Sequence, residues 1–333
     1  MPANVGEMFY FGEQPWHRLG NKLDQPATME EALKAGGLDW EVGTVPLATA
    51  EEPSSPVPMR VAIVRKDTKP GSQGRVLGVT HTGFRPLQNR EGIEIFDSIF
   101  GKGERVYHTG GYLGDGEVIW VLARLPKEFN VAKGDTVKTY VLFTNSHNGS
   151  IAIDFRLTTV RVVCQNTLSL ALKKDTKTVF KHAHQGSYTD LKDEVEIFFK
   201  GTLKAADDLR EKFKMMLERR FDDDRVKGYV ETLFPIPGKP AGAERNSSVM
   251  GAYLARVKKV ESARKTTLFL ARNGKGTELE TVKGSLWAAL NGVLEYVDHY
   301  EPHKHDPFAY ALFGSGAMLK RKAFNLAVTN LQP

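Results

Sequence analysis

The chain has 333 residues, 41% of them hydrophobic and 26% charged, with a formal charge of +6. Those proportions exclude a disordered, collagenous or fibrous chain, and the length suffices for one large domain or two. A single cysteine, Cys164, excludes an internal disulfide and a cysteine-based zinc site.

The charge is unevenly placed. Residues 1–150 carry 16 Lys and Arg against 18 Asp and Glu, whereas residues 151–333 carry 30 against 22. A one-sided basic half is what a surface that follows a phosphate backbone requires. Residues 1–7 contain no basic stretch followed by an apolar run, and no window approaches the roughly 20 apolar residues of a membrane span. A cytoplasmic protein with no membrane partner is expected.

Thr28 and Glu31 stand at capping-box spacing before a short helix that the pair Gly36-Gly37 stops. Residues 40–47 alternate as a strand, residues 51–58 hold three prolines and form a loop, and residues 60–65 and 75–80 form a hairpin. Asn89 is expected to cap a helix whose apolar positions Ile93, Ile95, Phe96, Ile99 and Phe100 recur at helical spacing. Strands follow over 105–113, 118–125, 136–144 and 151–163, the first two joined by a turn containing Asp115-Gly116. In the last strand alternation puts Asp154 and Arg156 on one face and Ile153, Phe155 and Leu157 on the other.

From Gln165 to about Leu172 the pattern reads as helical, with Asn166 or Thr167 near a helix start that favours a phosphate. From residue 189 helices dominate: 189–220, 222–234, 247–266, 279–299 and 317–331, with Pro235 to Gly242 the clearest loop. The expected fold class is therefore α+β, an antiparallel β-rich N-terminal half with a helical C-terminal half. The expected division is a β-rich α+β core domain over 1–188 and a helical domain over 189–333.

Three strings concentrate polar chemistry. Thr144-Asn145-Ser146-His147-Asn148-Gly149-Ser150 reads either as an anion-binding turn or as a hydrogen-bonded hairpin connection. Catalysis by Ser146 and His147 is disfavoured, because adjacent strand residues point to opposite faces. Residues 158–168 carry a strand past Cys164, which reads as a small buried hydrophobe rather than a nucleophile. Residues 314–323 place Lys320, Arg321 and Lys322 on the first turns of a helix. The imidazoles at 182, 184, 303 and 305 lack the spacing of a metal centre, and no phosphate-binding glycine loop occurs, so no cofactor or metal is expected.

These strings, with Trp16-His17-Arg18-Leu19-Gly20, Phe84-Arg85-Pro86-Leu87-Gln88-Asn89 and Tyr296-Val297-Asp298-His299, resemble the phage/plasmid-like protein family, an uncharacterised domain of phages, prophages and plasmids. One departure is Asn148, where that family more commonly has Asp. The resemblance implies a mobile-element setting in a bacterial host. The sheet followed by helices is also similar, in architecture alone, to phage single-strand annealing proteins.

The function expected on these grounds is single-stranded DNA binding, as an oligomeric annealing or recombination protein without nucleotide hydrolysis. Arg85, Arg156, Arg161, Lys173, Lys174, Lys320, Arg321 and Lys322 would hold the backbone. Asn145, His147 and Asn166 would add hydrogen bonds, and Tyr107 or Tyr112 a stacking surface. The alternative is a non-enzymatic factor that binds a host defence or replication protein; a hydrolase around His147 and Cys164 is a third reading.

Overall fold

Thr28 opens helix α1 (Met29–Ala35) as the spacing predicts: its hydroxyl accepts from the Glu31 N–H, and the Glu31 carboxylate accepts from the Thr28 N–H at 2.8 Å. Gly36 closes the helix through its N–H to the Ala32 carbonyl. In the computed structural model the described residues are 4–12, 20–66, 74–99, 106–161, 163, 166–169, 179–301, 310–311 and 314–332.

Strands dominate the N-terminal half and helices the C-terminal half, an α+β chain. Strands β3 (Glu41–Ala48), β4 (Pro56–Lys66) and β5 (Arg75–His81) form an antiparallel three-stranded sheet. The larger sheet runs in the order β10 (Asn166–Ser169), β9 (Ile153–Arg161), β8 (Asp135–Ser146), β7 (Val118–Ala132), β6 (Val106–Leu113), β1 (Val5–Phe11) and β2 (Asn21–Leu23). Strand β11 (Val179–His182) also pairs with β9. The turn after β6 returns the chain through Asp115-Gly116 to pair Leu113 with Val118, as expected.

Several sequence expectations need correction: β4 begins at Pro56, inside the expected 51–58 loop, because Pro56 pairs with Ala48, and the helix expected from 279 begins only at Leu286. Residues 166–169 form strand β10, not the first turns of a helix, because their backbone pairs beside β9. Helix α2 (Asn89–Ile99) starts at Asn89, but that side chain does not cap it; it is turned into the core.

The chain divides into two compact units, one of residues 1–127, 139–158 and 170–206, the other of 128–138, 159–169 and 207–333. Strands β7, β8 and β9 give residues to both. The first unit is built on stacked rings: Phe143 lies 4.8 Å from Phe155, and Phe96 lies 6.1 Å from each. All three are fully buried, and each such ring contributes roughly 1.5–3 kcal/mol of transfer free energy.

The second unit holds helices α4 (Asp223–Leu233), α5 (Ser247–Asn273), α6 (Leu286–Glu295) and α7 (Ser315–Thr329). It also takes the C-terminal part of α3 (Leu191–Glu218). Phe213 packs 4.5 Å from Trp287 and edge-on to Phe324, and the Tyr229 hydroxyl donates to the Ala323 carbonyl at 2.7 Å. Helix α6 is buried at every position and runs on into a π-helical turn, Tyr296–Tyr300. It meets α5 at Gly292, where an added Cβ would lie 2.6 Å from the Ala271 nitrogen. Gly292→Val is therefore expected to cost about 1–3 kcal/mol by overpacking, read as a lower urea midpoint. An unchanged midpoint would show that α5 and α6 have room to separate.

Candidate nucleic-acid interface

The string 144–150 is an internal lock. Thr144, Asn145, Ser146 and His147 are all buried, and only Gly149 and Ser150 are exposed. The Ser146 hydroxyl donates to the Ile151 carbonyl at 2.5 Å and accepts from the Ile151 N–H at 2.9 Å, which closes the turn. The Asn145 side-chain amide donates to the Leu87 carbonyl at 3.2 Å. Asn148 packs against β5 where Gly78 has no side chain, an added Cβ there lying 2.8 Å from the Asn148 Cβ. Of the two readings of this string, the hydrogen-bonded connection matches the observed bonds. An anion could reach only its last residues.

His147 is held from two sides. Its ring meets Trp40 edge-on at 5.3 Å, and its Nε2 lies 2.9 Å from the Asn89 Oδ1. The Asn89 amide donates to the Leu38 carbonyl at 3.0 Å and to the Trp40 carbonyl at 3.4 Å. Its Oδ1 must therefore accept, which puts the imidazole proton on Nε2. Burial, with a smaller contribution from a charged His184, pushes His147 down to about 3, so the ring is neutral at pH 7. A solvent-borne substrate has no path to a fully buried base.

Arg85 is exposed, and its backbone is tied down: its N–H donates to the His184 carbonyl at 2.9 Å and its carbonyl accepts from Tyr188. The strings 84–89, 144–150 and 182–184 thus meet through backbone and amide bonds, a convergence that sequence spacing alone does not display.

Three cations expected on a phosphate track are turned inward. Arg156 is buried and bidentate to Asp154, with its Nε 2.5 Å from Oδ1, so the same-face alternation of β9 produces an ion pair. Arg161 grips Asp135 at 2.7 and 2.6 Å and donates to the carbonyls of Lys275 and Gly276. Lys320 is buried with its Nζ 2.6 Å from Asp298; burial lowers its pKa, against the opposing pull of that carboxylate. A phosphate would have to displace a buried carboxylate at each, and take from that carboxylate its buried cation.

Among the rest, Arg321 is half-buried, and Lys322 is exposed with its Nζ 3.3 Å from the Thr232 carbonyl. Asn166 lies in β10; Cys164, Lys173 and Lys174 lie outside the described residues. Tyr107 and Tyr112 are buried, the first donating to Asp97 at 2.7 Å and the second covered by the Arg65 guanidinium 4.9 Å from its ring. Neither offers a stacking face to a base.

A net surplus of positive charge sits elsewhere, on α5. That helix carries six cations, Arg256, Lys258, Lys259, Arg264, Lys265 and Arg272, against a single carboxylate, Glu261. Arg264 donates to the Phe234 carbonyl and Arg272 pairs with Asp223 at 2.9 Å; Arg256, Lys258, Lys259 and Lys265 are exposed and have no partner among the described residues. No side chain from 247 to 262 is buried, and the first buried residue is Ala263. Asn246 caps the start by accepting from the N–H groups of Ser248 and Val249. Counting charge element by element, rather than by halves of the chain, would have found this helix.

Among the described residues no group of three or more His, Cys, Asp or Glu is placed to hold a metal ion, and no helix is long and apolar enough to cross a membrane.

The protein is thus α+β, with the string Thr144–His147 buried and a net surplus of exposed cations on helix α5. The chain belongs to the family described as domain of unknown function DUF932, which it matches over residues 76–321. No curated protein and no solved structure matches it.

Proposed function

We propose that the protein binds single-stranded nucleic acid through helix α5, without nucleotide hydrolysis, as part of the DNA metabolism of a phage or plasmid. The observation that supports this reading is a helix whose cations outnumber its carboxylates six to one, four of them exposed with no partner among the described residues. Lysines at such positions neutralise phosphates and release counterions, which gives affinity without sequence readout. Oligomerisation, which annealing of two strands would need, is part of the same proposal.

The test is a mobility shift with a labelled oligonucleotide over a salt series. Binding is expected to weaken steeply with salt. The double variant Lys258→Glu/Lys265→Glu is expected to reduce the salt slope by about 1 per lost phosphate contact. Micromolar protein with no shift at low salt would overturn the reading.

A second reading, a factor that binds a host protein, is favoured by the three-stranded sheet. Val45, Val76 and Val79 on β3 and β5 are 44%, 61% and 53% exposed, an apolar surface of the kind used for protein contact. Nuclease-resistant retention of one stoichiometric host protein, lost in Val79→Glu, would favour it.

A further inference from the structure

Phe269 is 60% exposed on α5, and its surroundings are unusual for a lone surface ring. At 100° per residue, Lys258, Ser262, Lys265 and Arg272 all fall within about 60° of Phe269 around the helix. All are exposed. With a rise of 1.5 Å per residue, Lys258, Lys265 and Arg272 follow one another at intervals of about 10 Å, and the ring sits between the last two. Arg272 is steered by Asp223, with Nε and Nη2 at 3.0 and 2.9 Å, whereas Lys258 and Lys265 have no partner among the described residues.

The backbone beneath the ring is fixed. Thr267 and Ala271 are buried on the opposite side of the helix and Leu270 on its flank, and Ala271 lies against Gly292 of α6 at backbone contact. The ring is therefore presented on a rigid element, which lowers the ordering cost of any contact it makes.

We propose, resting on the nucleic-acid reading above, that Phe269 is a stacking platform for an unpaired base, with Lys258 and Lys265 on the flanking phosphates. A base inside a duplex already has both faces stacked, so the ring gains nothing from duplex DNA, whereas an unpaired base offers it a free π-face. The lysines act on either form. Phe269 thus sets the preference for single strands, and the lysines set the general affinity.

The experiment compares fluorescence anisotropy titrations of a labelled oligothymidylate and a duplex of equal length at low salt. The proteins are the wild-type chain, Phe269→Ala, Phe269→Trp and Lys258→Glu/Lys265→Glu. Phe269→Ala is expected to weaken single-strand binding about 5- to 100-fold and to leave duplex affinity within about twofold. Phe269→Trp is expected to retain binding and to show emission quenched by the single strand alone. The lysine pair is expected to weaken both ligands together. If Phe269→Ala leaves single-strand affinity unchanged, or weakens both ligands equally, the stacking role is overturned and the nucleic-acid reading stands. If the wild-type chain binds neither ligand, both fall. The ring is exposed, so a melting temperature close to wild type is expected for both Phe269 variants and separates lost binding from lost fold.

Discussion

Asp135→Ala is expected to destabilise the protein by about 3–5 kcal/mol. Asp135 is fully buried and accepts three hydrogen bonds, two from Arg161 and one from the Trp287 indole at 2.9 Å. Truncation takes the charge-balancing carboxylate from the Arg161 guanidinium, itself 2% exposed, which keeps its bonds to the Lys275 and Gly276 carbonyls, and it takes the acceptor from the buried Trp287 indole N–H. An uncompensated interior charge accounts for most of the loss. Urea unfolding at pH 7 measures it, and a loss below about 1 kcal/mol would show that water reaches the guanidinium. Two controls sharpen the result. Asp135→Leu combined with Arg161→Met removes both charges and is expected to recover much of the loss. Asp115→Ala breaks the exposed pair with Arg75, whose side chains are 51% and 62% exposed, and is expected to cost under about 1 kcal/mol.

The second large effect is acid lability centred on His147. The unfolded imidazole takes up a proton near 6.5, whereas in the folded protein burial holds it at about 3. The unfolded chain therefore binds the extra proton between those values. Its contribution to stability is complete above pH 6.5 and is lost as the pH falls, at up to about 1.4 kcal/mol per unit. Near pH 5 the loss is about 2 kcal/mol by the same relation. His184, also lowered mainly by burial, acts in the same direction. Carboxylates contribute to acid unfolding in any protein, so the diagnostic quantity is the difference between the wild-type chain and His147→Gln. The variant is expected to be less stable at pH 7.5 and to lose less between pH 7.5 and 5. Parallel pH profiles would sink the assignment.

Local rules made most of the fold legible before any coordinates. The Thr28–Glu31 cap, the Asp115-Gly116 turn and the alternation through Asp154 and Arg156 depend on residues a few positions apart, and each recurs in the structure. Strand β10 was not legible, because Asn166 to Ser169 is too short for periodicity to separate strand from helix and its pairing with β9 decides the matter. The fate of the cations was equally hidden. Arg161 and Asp135 lie 26 positions apart, and Lys320 and Asp298 lie 22, so nothing in the sequence marks either as a pair. Basic residues beside striking motifs look like ligands for an anion until the carboxylate that holds them is seen. The excess charge of the second half can be assigned in part to one element, since α5 alone supplies six of the cations.

The half of α5 from Ser247 to Ser262 has no fully buried side chain; Val249, Met250, Tyr253, Val257 and Val260 are half-buried and the rest are exposed. Folding therefore constrains that half-buried stripe, whereas at the exposed positions it demands little beyond helix formation, and over evolutionary time those are free to drift. A contact surface would resist that drift in a recognisable way. Among DUF932 relatives, a position equivalent to Lys258 that keeps a positive charge while Ala255 and Ser262 vary would record selection for a ligand, because the architecture supplies no reason of its own to retain it.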